Sequence, residues 1–137
     1  MHPLTIPAYP KRLSLITLLF GIGVFLWLTP EDTVWLAALL GVGIALIGTA
    51  HAVFKFASGR TFRARTWFPG LIGIGAASGA GAVVATIGLM LIKTSVHNHL
   101  YPDYSLGVMA AMAQRLGSWS LAGACIGLAV ALLLAMR

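Results

Sequence analysis

Residues 68–92 read FPGLIGIGAASGAGAVVATIGLMLI, a run without an ionisable side chain and with almost no bulky one in its first half. A run of this length crosses a hydrocarbon core of roughly 30 Å as a helix, which satisfies its own backbone in the absence of water. Lipid supplies no hydrophobic drive between helices, so close backbone approach must hold them together. Gly70, Gly73, Gly75, Ala76, Ala77, Ser78, Gly79, Ala80, Gly81 and Ala82 allow that approach from several directions. The run is therefore expected at the centre of a helical bundle.

Working outward, residues 33–54, 13–29 and 116–136 meet the same test of length and apolarity. Hydrophobic residues make up 59% of the 137-residue chain and charged residues 9%, too few polar groups to cover a soluble domain. The fold class expected is an all-α integral membrane protein, a four-transmembrane-helix bundle forming a single membrane domain over residues 1–137. Lys11-Arg12 before the first run also fits a secretory leader. No small-x-small pattern follows Trp27-Leu28-Thr29, however, and Pro30-Glu31-Asp32 opens the next run. Thr29 is expected as the N-cap of that second helix, with Pro30 at its first position and the acids at the positive end of its dipole.

Charge gives the orientation. Lys11, Arg12, Lys55, Arg60, Arg63, Arg65 and Arg137 flank one side of the expected spans, against Lys93 and Arg115 on the other. Short-loop cations stay in the cytoplasm, so both termini are expected there, in the inner (plasma) membrane of a bacterial cell. The only acids, Glu31, Asp32 and Asp103, fall opposite the basic loop. Trp27, Trp35, Tyr101, Tyr104 and Trp119 are expected near one interface, and Tyr9, Trp67 and Phe68 near the other.

Helix packing is expected at Gly73, Gly75, Gly79 and Gly81 of the third span and at Gly123 and Gly127 of the fourth, with further small residues at Gly117, Ser120, Ala124 and Ala131. The second span offers a seam at Gly41, Ala45, Gly48 and Ala52. The first, with Leu18, Leu19, Phe20, Phe25, Leu26 and Trp27, is expected to face lipid or a partner subunit. Cys125 is single and mid-span, a small packing residue rather than half of a redox pair.

Two connections carry chemistry. The basic one, Lys55 to Trp67, interleaves Lys55, Arg60, Arg63 and Arg65 with aromatic residues, a pattern that anchors topology and suits anionic lipid head groups. No nucleic-acid module fits in it. On the opposite side, His97, His99, Asp103 and Arg115 form the richest polar group. His97 and His99 at i,i+2 with Asp103 are weak candidates for a metal site, since a third His or a Cys cluster is missing. A head-group-level contact with a partner or lipid is the stronger expectation, with Arg115 pairing with Asp103 or a lipid phosphate. Pro102-Asp103-Tyr104-Ser105 reads as a turn and N-cap. Residues 105–115, with an apolar stripe at Leu106, Met109 and Met112 that continues to Leu116, are expected either in the interface plane or as an extension of the fourth helix. The N-terminal arm, residues 1–12, carries three prolines and is expected to be extended and loosely ordered. His51 is expected to hydrogen-bond a neighbouring helix.

No Asp, Glu, Lys or Arg lies inside the four runs, whereas coupled carriers keep such a group at membrane depth. No catalytic residue and no cofactor is indicated. The small-residue-rich, loop-poor design is similar in style to accessory subunits of respiratory or photosynthetic membrane complexes. That likeness implies a structural subunit, not an enzyme, whose partners are the bilayer, anionic lipid, and other membrane subunits or a second copy of itself. A small oligomeric transporter or channel is the alternative, and a metal-dependent membrane enzyme using His97, His99 and Asp103 comes third.

Overall fold

The computed structural model describes residues 3–29, 33–97 and 102–136. Its axis is a helix, residues Ala64–Val96, against which two others pack along much of their length. Five helices occur among the described residues: α1 (Lys11–Trp27), α2 (Val34–Ala57), α3 (Ala64–Val96), α4 (Leu106–Ala113) and α5 (Leu116–Ala135). Of these α2, α3 and α5 are long and apolar enough to cross a membrane, and they make this a membrane protein. At 33 residues α3 is about 50 Å long, well beyond the hydrocarbon thickness. It begins before the apolar run and takes Pro69 into its second turn, which forfeits the bond to the Arg65 carbonyl.

α5 runs antiparallel to α3 at backbone contact. A Cβ added at Gly75 would strike the Gly123 carbonyl and come within 3.1 Å of the Gly127 nitrogen. One at Gly79 would strike Trp119, and one at Gly127 would strike Leu71. Ser120 donates its hydroxyl to the Ala76 carbonyl at 3.1 Å, which fastens the same seam. Two of the small residues expected to pack do not. A Cβ on Gly73 would meet nothing within 4 Å, and one on Gly117 likewise, because both point away from the α3/α5 seam. Gly81 lies on the other side of α3, where its added Cβ would be 3.7 Å from that of Ala45.

That other side belongs to α2. Gly41 admits no side chain, since a Cβ there would collide with Thr86 and sit 2.8 Å from the Ala82 carbonyl. Ala37 and Ala38 are buried beside it, and Thr86 satisfies its own hydroxyl on Ala82 at 2.7 Å. The α2 seam therefore runs through Ala37, Ala38, Gly41 and Ala45. Gly48, expected on it, has nothing within 4 Å of an added Cβ. α2 starts at Val34 with Thr33 as the extended N-cap residue. Thr29 is not that cap, and its hydroxyl turns back to the Leu26 carbonyl at 2.9 Å. Pro30, Glu31 and Asp32 lie outside the described residues.

α1 packs along α2, where the Phe20 ring lies against Gly43, and meets α3 at its C-terminal end through Trp27. Leu18, Leu19, Phe25 and Leu26 face outward, whereas Trp27 is buried at 5% exposure. Trp27 thus departs from its expected outward place, because α1 ends against α3 and turns the indole into a core cluster with Ala37, Leu89, Met90, Tyr104 and Met109. α4 continues the path of α5 along α3: Met112 packs with Val83, and Met109 with Leu89 and Met90. Gln114 and Arg115 stay right-handed helical between them, so 105–115 extends the last helix through a tight turn. Trp119 consequently lies beside the middle of α3. Cys125 faces outward.

The N-terminal arm is paired, not loose. Leu4–Thr5 (β1) and Thr61–Phe62 (β2) form an antiparallel ribbon with Leu4 opposite Phe62 and Thr5 opposite Thr61. Ile6 and Gly59 extend it by backbone bonds of 3.1 and 3.0 Å, and Gly59 supplies the turn with φ +71°, a conformation costly for any residue with a Cβ. Side chains alternate along a strand, so Thr5 and Thr61 share one face, joined by a 2.9 Å hydroxyl bond, while Leu4, Phe62 and Ile6 share the other.

Candidate functional site

The ribbon brings the arm and the α2–α3 connection to one end of the bundle, and with them Lys11, Arg12, Lys55, Arg60, Arg63 and Arg65. Beneath its apolar face is a cleft of about 420 Å³ lined by Leu4, Ile6 and Phe62 above and by residues of α2 and α3 such as Ala52, Val53, Gly70, Leu71 and Ile74 below. Its walls are carbon almost throughout. Lys55 holds its ammonium 5.4 Å from the centre of the Phe56 ring, which also lines the cleft. Arg60, Arg63 and Arg65 are exposed. Arg63 precedes the first helical residue of α3, whose N-terminus has no side-chain cap.

His51 ties this end together. Its Nδ1 lies 2.9 Å from the Tyr9 hydroxyl and its Nε2 2.7 Å from Thr17 Oγ1. Thr17 donates its one hydroxyl hydrogen to the Leu13 carbonyl at 2.8 Å, so toward His51 it accepts. Nε2 therefore carries the proton, Nδ1 accepts from Tyr9, and the Tyr9 oxygen accepts in turn from Ser14 at 3.2 Å. The chain of bonds links the arm, α1 and α2 with every hydrogen assigned. Imidazole ¹⁵N spectra are expected to show the Nε2–H tautomer of His51; the Nδ1–H tautomer would break the assignment at Thr17.

The far end holds a buried cation. Lys93, which follows the apolar run, is 1% exposed. Its ammonium sits 4.3 Å from the centre of the Trp27 ring and 3.3 Å from the Trp27 carbonyl. Close by, His97 and Asp103 pair at 2.8 Å, Nδ1 to Oδ2, each about one-fifth exposed. The Tyr104 amide donates to Thr94 at 3.3 Å, and Ser105 caps α4 by accepting from the Val108 amide. These bonds fasten the connection back onto the end of α3.

The polar group expected over 97–115 is thus divided. Asp103 takes His97 as its partner, not Arg115. Arg115 lies at the α4–α5 joint, beside a cleft of about 340 Å³ that it lines with Trp35, Ala38, Met112 and Trp119. The displacement follows from α4: once residues 106–113 run on along α3, their end is carried toward mid-bundle. His99 lies outside the described residues. Among those described, no three His, Cys, Asp or Glu side chains converge as a metal site would require.

Comparison with protein-family models, with curated proteins and with solved structures found no match.

Proposed function

We propose that this protein is a four-span structural subunit, with both termini in the cytoplasm, that packs against other membrane proteins within a larger complex. α1 would be the fourth span, since 17 residues reach the lower end of the crossing range. The gathering of six cations at the ribbon end supports a cytoplasmic location for that end, and a bacterial inner membrane fits the same rule.

The observation that carries the reading is the inward use of polar side chains along the helices. Thr17, Thr86, Ser120, His51 and Lys93 each bond a carbonyl or a neighbouring side chain of this same chain. A bundle so arranged offers apolar faces outward, chiefly the side of α1 bearing Leu15, Leu18, Leu19, Ile22, Phe25 and Leu26. Extraction in a mild detergent is expected to recover the protein together with larger membrane proteins. Recovery only as a lone monomer would sink the proposal. Arg115 beside its cleft favours one alternative, a small transporter formed by several copies, because a cation lining a cleft of an apolar bundle commonly marks a pathway. A pure homo-oligomer would support that alternative.

A further inference from the structure

The cleft beneath the ribbon combines carbon walls with a polar-topped roof, Lys55, Arg63 and Arg65 adjoin its lining residues along the chain, and we propose that it holds an acyl chain of an anionic phospholipid. The phosphate would lie among Arg63, Arg65 and Lys55.

Its volume, about 420 Å³, is that of a ligand pocket rather than a packing defect. Phe56 and Ile74 both line it and are both exposed, so its mouth opens on the apolar surface, where a lipid tail can enter. The ribbon is built as a roof for such a tail: Leu4 and Phe62 face the cleft, while Thr5 and Thr61 face away and bond each other. It holds carbon at a level where the flanking charges mark the head groups.

Charge complementarity selects the head group. No acidic residue lies in the arm or in the α2–α3 connection, so the cations there have no carboxylate neighbour along the chain. The α3 N-terminus adds main-chain N–H groups of Ala64 and Arg65 that have no helical acceptor, on the side of the helix dipole that favours an anion. Cations and carbon walls together match a molecule with a phosphate at one end and a hydrocarbon at the other. A neutral lipid uses only the walls, and an acidic peptide only the charges.

Purified full-length protein, stripped of lipid in a neutral detergent, should bind phosphatidylglycerol in preference to phosphatidylcholine by native mass spectrometry. Gly70→Phe is the blocking variant, because a Cβ there meets nothing within 4 Å and the ring enters the cleft without displacing a neighbour. It is expected to weaken phosphatidylglycerol about tenfold, the equivalent of roughly two buried methylenes. Arg63→Gln with Arg65→Gln is expected to abolish the preference over phosphatidylcholine. On the unaltered protein, phosphatidylglycerol with a photoreactive acyl chain should label Val53, Leu71 and Ile74, which needs no variant to fold. Equal binding of the two lipids, full binding by Gly70→Phe, displacement by glycerol phosphate alone, or labelling spread evenly over α1 and α5 would each overturn the proposal.

Discussion

Gly79→Leu is expected to pull α3 away from α5 and to lower the unfolding transition in detergent more than any other single change on that seam. A Cβ at Gly79 strikes the Trp119 carbonyl, with the Trp119 carbonyl carbon at 2.7 Å and Ser120 Cα at 3.1 Å. All three are main-chain atoms, so no side chain can swing aside. Overpacking of a well-filled core typically costs about 1–3 kcal/mol, and a backbone collision belongs at the upper end of that range. Gly73→Leu is the matched control: the same substitution, on the same helix, at a glycine with open space before it. It is expected to change stability by no more than about 0.5 kcal/mol, as surface substitutions do. Thermal denaturation of the two variants in one detergent decides the matter. Equal losses would mean that the α3/α5 contact does not hold the bundle.

The contrast between Gly73 and Gly79 shows how far the sequence could be read. A glycine-rich run announces close approach of helices, and Gly75, Gly79, Gly123 and Gly127 do meet within the chain. The run is so uniformly small that no bulky residue fixes the phase of the contact, and Gly73 is indistinguishable from Gly75 until α5 is in place. The second seam was half legible for the same reason, with Gly41 and Ala45 on it and Gly48 off it. The ribbon was beyond reading, since two-residue strands have no period to detect, and Leu4 finds Phe62 only because α1 and α2 fold back as a hairpin. Trp119 and Arg115 were expected near an interface by counting spans of bilayer length, and such a count does not show that α4 follows α3 or that α3 outruns the bilayer. The cleft under the ribbon depends on both of these features, so only its cations were visible in advance.

Lys93 and Trp27 supply the second large effect, and a double-mutant cycle is the measurement suited to it. Trp27→Ala removes an indole that is 5% exposed and leaves a cavity among Ala37, Leu89 and Met90, at an expected cost of about 3–5 kcal/mol. It also strips the ring from an ammonium 1% exposed, and a desolvated cation–π contact adds about 2 kcal/mol. Lys93→Met, close in volume, removes the charge while keeping the stem. Lys93 has partners beyond the ring, so neither single variant isolates the contact. The cycle does: the coupling between Trp27→Ala and Lys93→Met is expected near 2 kcal/mol, with weak dependence on salt because the pair is buried. Trp27→Phe sharpens the test. The buried indole Nε1 has no hydrogen-bond partner among the described residues, so phenylalanine forfeits no bond to them and retains an aromatic face for the ammonium. It is expected to lose far less than alanine and to keep most of the coupling. If Trp27→Phe and Trp27→Ala lose coupling to Lys93 equally, the ring's electrons are not what holds the ammonium, and its other partners, the Trp27 carbonyl among them, must be doing so.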